Sequence, residues 1–408
     1  MVVLGGRVLL LLLHIFFFVN CQSNDGNTSL LAKPTLVRLF VVLRHGSRAP
    51  NFEKIFHAIN KDVDVELWPA GAGELTQNGK REAYEMGRKL RTRYSAFLGD
   101  YYNAKDFRVF STLIERTMMT AQLAASAMFP PKGYQKWSNE LAWQPVPVYP
   151  EYVISNADDV NCKWLLKDSS MEMKNKNMSA SEFGLEEDDL RLLQDQLGSY
   201  DKNSILFMFK LWNVWDNNFF KAKENISLPP WTKTLYPDKM TAAVLKFGKF
   251  FLSGSPTRKM VLVGPYGKGL TSYFTKSERK MELHVLHDKN LIGLLTTLGI
   301  EIEEFPGPTA TVAIELHKKN EEYYFEVYHY SNHKQSTPTL MKMPCGTNCS
   351  YDIMIKQWQT YAEANFEEIC AKDNAKSAGF AAIFFSGTSE DYQESKRKQG
   401  SKLAGLGR

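Results

Sequence analysis

Cysteine is scarce in this chain, and long apolar runs and net charge are scarcer still. Its 408 residues include five cysteines, at positions 21, 162, 345, 349 and 370, too few for a scaffold in which disulfides replace a core. After residue 21 no apolar run approaches the 18 residues that cross a bilayer, so the body of the chain offers no membrane anchor. Lys and Arg number 50 against 45 Asp and Glu, a surplus of five that argues for no nucleic-acid partner. No internal repeat is visible. With 44% apolar and 23% charged residues, the chain is neither disordered, collagenous nor a coiled coil. The length accommodates two or three domains, or one large α/β unit with an insertion.

The first residues account for the odd cysteine. Val8 to Val19 is almost wholly apolar, preceded by Arg7 and followed by the polar stretch from Asn20 to Ser29. A core of about 12 residues is too short to span a membrane but suits a signal peptide, here placed at residues 1–21. Its removal takes Cys21 and leaves four cysteines, an even number suited to an oxidising compartment. The expected location is therefore secreted, or a lysosomal lumen. Four N-x-S/T sequons, at Asn27, Asn177, Asn225 and Asn348, agree with that route. Cys349 lies inside the last of them.

Val37 to Leu43 is a compact β-branched run, read as a buried strand. Helical spacing follows through Ala83, Met86, Leu90 and Tyr94, then a short strand at Phe107 to Phe110. A helix from Thr117 to Phe129 is stopped by Pro130 and Pro131. Strand alternating with helix predicts an α/β layer with a mostly parallel sheet and flanking helices. From about Asn161 to Ser253 no strand is evident. Leu190, Leu193 and Leu197 share a helical face, and Ile205 to Phe220 and Lys239 to Leu252 read as helices. Residues 161–253 are thus expected to be an inserted all-helical cap between the two parts of the α/β domain, 35–160 and 254–375. Strands are expected at Met260 to Val263, Met281 to Leu286 and Thr311 to Leu316. Tyr323 to Tyr328 adds another, pairing with its predecessor as an antiparallel hairpin at the sheet edge. Leu291 to Leu298 and Tyr351 to Glu368 read as helices. The basic tail, 388–408, has little that can pack.

The chemistry concentrates just after the first strand, in Arg44-His45-Gly46-Ser47-Arg48-Ala49-Pro50. Two guanidiniums flank an imidazole, and a glycine permits close backbone approach. Guanidinium matches an oxyanion bidentately and stays charged at any pH. Loops at the carboxyl ends of parallel strands are where α/β folds bind ligands.

These seven residues resemble the R-H-G-x-R-x-P signature of the histidine acid phosphatases. Five fixed residues match by chance in about one chain of this length in ten thousand. Gly73-Glu74-Leu75-Thr76, with Gly79 and Gly87, resembles the segment that follows the signature loop. Ser111-Thr112 with Glu115-Arg116-Thr117 resembles the S-T-x-x-x-R-T segment whose arginine joins the phosphate pocket. His287-Asp288, placed between an expected strand and helix, matches the H-D pair. Read without the family, Arg116 is a first-turn helix residue paired with a carboxylate, and Asp288 is an N-cap.

The resemblance implies a phosphoglycerate mutase-like fold and a defined set of roles. His45 is the nucleophile and Asp288 the proton donor. Arg44, Arg48, Arg116 and His287 bind phosphate, with no cofactor and no metal. The partner implied is a small phosphate monoester, and the family allows a homodimer. The H-D pair, where phytase-like relatives carry H-A-E, favours the acid-phosphatase branch. Ser47 departs from the acidic residue or alanine common at that position. His329-x₃-His333 with Cys345-x₃-Cys349 has a spacing that could bind zinc. In the secretory path Cys345–Cys349 reads instead as a short-loop disulfide, leaving Cys162–Cys370, and the resemblance supports both pairings. Substrates other than simple phosphomonoesters, such as lysophosphatidate or phytate, or a binding role without activity, remain open.

Overall fold

The computed structural model describes residues 30–51, 65–151, 162–197, 201–363 and 366–371. The signal segment 1–21, the Asn27 sequon and the tail 388–408 lie outside the described residues.

The first strand, β1 (Leu36–Arg44), runs through the middle of one mixed sheet. Both of its faces are buried, which is why its sequence is continuously apolar instead of alternating. Leu39, Val41 and Leu43 pack on one side, beneath α1 (Gln77–Leu98) and α2 (Glu115–Met128). Phe40 and Val42 face the opposite core, built from the later helices. Beside β1 lie β4 (Met281–Leu286), then β2 (Phe107–Ser111) and β3 (Val148–Pro150), all parallel. On the other flank β5 (Thr311–Lys319) and β6 (Glu322–Tyr330) are antiparallel. The expected α/β sheet is present, with parallel strands making up one half of it. The β5–β6 hairpin turns at Asn320 and Glu321, both at positive φ. It is not the edge. Strands β7 (Thr339–Met341) and β8 (Cys349–Ser350) pair with different parts of β6 beyond it.

Between β3 and β4 the described residues contain helices and no strand. They are α3 (Lys163–Asn175), α4 (Glu187–Leu197), α5 (Ile205–Lys223), α6 (Asp238–Ser253) and α7 (Pro256–Lys276). The expected strand at Met260 to Val263 is part of α7. A four-residue apolar run does not distinguish strand from buried helix. Here the start signal decides it. Ser255 caps the helix by accepting from the Arg258 amide at 3.2 Å, and Pro256 occupies the first turn. Val261, Tyr266, Leu270 and Tyr273 then bury one side of it. After β4 come α8 (Asp288–Thr297), α9 (Tyr351–Ala362) and α10 (Phe366–Ala371). The single helix expected from Tyr351 to Glu368 is thus two.

Disulfides join Cys162 to Cys370 and Cys345 to Cys349. The bond between Cys345 and Cys349 removes both thiolates from the zinc spacing, so that alternative falls. Asn177, Asn225 and Asn348 are all exposed. Among the described residues no helix is long and apolar enough to cross a membrane.

The loop after β1 rests directly on the first turn of α1. A methyl group at Gly46 would overlap the Gly79 carbonyl, and one at Gly79 would overlap the Ser47 carbonyl. No side chain can yield there, because backbone meets backbone. Gly79→Ala, an otherwise favourable helix substitution, is therefore expected to destabilise the fold by about 1–3 kcal/mol. Urea unfolding measures this, and a neutral or stabilising result would contradict the packing described.

Candidate active site

The register of the sheet brings the distant motifs together. Arg44 pairs with Leu286 at the ends of parallel β1 and β4, so the segments that follow leave the sheet side by side. The His45 amide donates to the Leu286 carbonyl at 3.1 Å, and the Thr309 amide donates to the His45 carbonyl at 3.2 Å. One strand further, β2 ends at Ser111, and Arg116 lies in the first turn of α2. All six expected site residues therefore meet at the carboxyl edge of the parallel strands.

The signature loop is held from beneath. The Gly46 amide donates to Thr120 Oγ1 at 3.2 Å, and the Ser47 amide to Glu82 Oε2 at 2.8 Å. His45 is 2% exposed. Its Nδ1 lies 2.8 Å from the Gly46 carbonyl oxygen. A carbonyl only accepts, so Nδ1 carries the hydrogen and Nε2 keeps its lone pair. Burial first, then Arg116 and Arg44, push the imidazole well below its ordinary pKa, so it stays neutral in acid.

Three guanidiniums surround it. Arg44, fully buried, donates through Nη1 to the Pro306 carbonyl at 2.5 Å and through Nη2 to Asp288 Oδ2 at 2.7 Å. Arg48 forms a two-pronged pair with Asp216, at 3.0 and 2.9 Å, and also donates to the Ala49 carbonyl. Half-buried Arg116 forms no ion pair among the described residues; burial first and Arg48 second draw its pKa down to about 9. The Nε atoms of Arg44, Arg48 and Arg116 are all buried without a hydrogen-bond partner. Such donors are costly alone. Three in one pocket are donors that an oxyanion can satisfy.

His287 caps α8, and Asp288 is its first residue; the expected order of cap and helix is shifted by one position. Asn290 Oδ1 accepts from the His287 amide at 3.0 Å, which fixes the entry of the helix. The His287 Nε2 lies 3.1 Å from Thr112 Oγ1, which in turn lies 2.6 Å from Thr117 Oγ1. Thr117 donates to backbone carbonyls, so its oxygen accepts from Thr112, and Thr112 accepts from His287 Nε2–H. That hydrogen is already engaged, and His287 can offer it to a ligand only by sharing it. Burial, followed by Arg116 and Lys289, pushes this imidazole well below its usual range too. For Asp288, burial raises the pKa, but Arg44 and then Arg48 outweigh it, with a net shift downward.

Sequence reasoning missed what the inserted helices contribute. Asp216 and Phe220 project from α5 onto the signature loop, with the Phe220 ring 4.4 Å from the Arg48 guanidinium and 6.0 Å from that of Arg44. Phe305 lies 5.8 Å from Arg44 on the other side. Glu224, at the C-terminal cap of the same helix, accepts from Thr76 Oγ1 at 2.6 Å and Asn78 Nδ2 at 2.8 Å. The one signal available was a carboxylate, the only acidic residue in the largely apolar stretch Ile205–Phe220. Its partner, 168 residues earlier, leaves no trace in local spacing.

Glu315, His317 and Glu326 also cluster in the core, with ligand atoms within 4.8 Å of one another. Their oxygens already accept from Arg93, Tyr94, Tyr328 and Lys33. The register of β1 with β5 puts His317 opposite Leu36, at the far end of β1 from the pocket. This is an internal ionic network that ties α1 to β5 and β6.

Comparison with known proteins agrees with the geometry. The profile of the histidine phosphatase superfamily (branch 2) matches residues 35–330. The venom acid phosphatase Acph-1 of Apis mellifera is 24% identical over 350 residues, 83% of this chain and 88% of that protein. The lysosomal acid phosphatase of Bos taurus is 27% identical over 348 residues, 82% of this chain and 80% of its own. Among solved structures, a Hafnia alvei phytase in complex with myo-inositol hexakis sulphate aligns with a TM-score of 0.60 at 13% identity, over 81% of this chain and 98% of that one. That likeness establishes the fold. With a profile spanning most of its described length and its motif residues gathered in one pocket, the chain belongs to the histidine phosphatase superfamily, branch 2.

Proposed function

We propose that this chain is an acid phosphatase that hydrolyses small phosphate monoesters through a phosphoryl group carried on His45. The observation that carries the reading is one neutral imidazole, its Nε2 lone pair free of the Gly46 contact, lying near three guanidiniums whose Nε donors are each buried and unpartnered.

The steps follow from the groups present. Arg44, Arg48 and Arg116 hold the non-bridging oxygens, and His287 adds its shared Nε2–H. This spreads the charge of the transferring group without metal coordination. His45 Nε2 attacks phosphorus, the P–N bond forms, and the bond to the bridging oxygen breaks. Asp288 gives its proton to the departing alkoxide, which leaves as the alcohol. A water then attacks phosphorus and passes its proton to the Asp288 carboxylate. The P–N bond breaks, releasing inorganic phosphate and restoring neutral His45.

One proton decides the pH range. In the free protein Asp288 is ion-paired with Arg44 and its pKa is lowered, so this carboxyl carries no proton near neutrality. A phosphomonoester has a second pKa near 6. Below that pH the substrate itself brings the proton, and Asp288 takes it up as the phosphoryl oxygens draw Arg44 away. Secretion or a lysosomal lumen, with bridged cysteines and glycans on the exposed sequons, fits the same acid setting.

Two outcomes are expected. With p-nitrophenyl phosphate at about pH 5, His45→Ala retains less than about a thousandth of the wild-type kcat. An intact protein that does not turn over, or a variant that turns over normally, contradicts the reading. Second, kcat/KM falls about tenfold per pH unit above about pH 6, as the substrate monoanion is lost. A rate that is flat to pH 8 would remove Asp288 from the proposed role.

A further inference from the structure

We infer that Asp216, contributed by α5, is a positioning residue for the phosphoryl pocket that also favours uptake of the catalytic proton by Asp288 when substrate binds. The inference rests on the phosphatase reading above and adds a residue which that mechanism does not use.

The geometry comes first. A guanidinium has five N–H donors in a fixed fork. Asp216 takes one from each terminal nitrogen of Arg48, and the Ala49 carbonyl takes another. What remains is the side of the fork made by Nε and the second hydrogen on Nη2. Nε is buried and unpartnered. Asp216 thus occupies the end of the fork and leaves its side for the phosphoryl group. The Phe220 face, 4.4 Å from the guanidinium, restricts it further. Both residues project from α5, so Arg48 is aimed by a helix that joins neither the sheet nor the signature loop.

The charge count comes second. Three guanidiniums stand against two carboxylates, Asp216 and Asp288, with both imidazoles neutral, and Lys289 and Glu82, which also act on Asp288 and Arg44, cancel; the balance is one positive charge. A phosphomonoester dianion turns this to one negative, and a proton on Asp288 brings it to zero. Without Asp216 the same dianion reaches neutrality with Asp288 still ionised, and nothing favours the proton. The charged groups that face Asp288 are Arg44 from β1, Arg48 from the signature loop, Arg116 from α2 and Lys289 from its own helix. Arg48 is the one whose pull Asp216 offsets directly, at 2.9 Å.

Asp216→Asn retains the shape and one acceptor but removes the charge, whereas Asp216→Ala removes both. Two measurements separate the two parts of the inference. In the pH profile of kcat, the basic limb of Asp216→Asn is expected to move toward acid by about half a pH unit or more. Its inhibition by inorganic phosphate should be no weaker than in wild type. A purely structural residue would weaken phosphate binding and leave the limb in place. Coincident limbs would overturn the electrostatic role. Binding of inorganic phosphate, read as the rise in unfolding midpoint and so independent of turnover, is expected to be about tenfold weaker in Asp216→Ala than in Asp216→Asn. Equal binding in the two variants would overturn the positioning role. If wild-type protein bound phosphate but turned over no ester, the phosphatase reading would fail, and this binding comparison would still decide the positioning.

Discussion

Three guanidiniums held within one buried pocket impose the constraint around which the site is built. Like charges taken out of water repel strongly and lose their hydration, and two of the three are held by partners among the described residues. Arg44 is anchored by a backbone carbonyl and Asp288, Arg48 by Asp216 and the Ala49 carbonyl. The anchors come from separate parts of the chain: the signature loop, the start of α8, the segment before β5 that carries Pro306, and α5. The fold brings these together because β1 and β4 are parallel neighbours whose ends coincide in register.

Burial first, and the same crowding of positive charge second, set the protonation states. The imidazoles of His45 and His287 are thereby kept neutral, as the proposed nucleophile requires. For Asp288 burial works against the charged form, but Arg44 and then Arg48 outweigh it and lower this pKa too, so the carboxyl is ionised in the free protein. In the proposed mechanism a bound phosphoryl dianion offsets those cations, which couples ligand charge to proton uptake. On that proposal, acid chemistry needs no carboxyl kept protonated in the free protein.

Much of this was legible in the sequence, because the chemistry of the pocket is concentrated in short motifs. Arg44 to Pro50 sits at the end of a strand obvious from its apolar run, and Gly46 is required by backbone contact with Gly79. Three of the helices between β3 and β4, α4, α5 and α6, were legible from apolar spacing, whereas α3 was not. Asp216 was not, since its importance lies in a contact with Arg48 across 168 positions. Nor was the state of Met260 to Val263, where four apolar residues fit either secondary structure and the cap at Ser255 settled it. The antiparallel half of the sheet was only partly visible, because β7 and β8 are too short to show a period.

The most direct test of the account is to trap the phosphoryl group itself. Rapid alkaline quenching during turnover, followed by peptide mass spectrometry, is predicted to find phosphate on the imidazole of His45 and none in the His45→Ala protein. Steady turnover with His45 unmodified, or with phosphate on another residue, would contradict it.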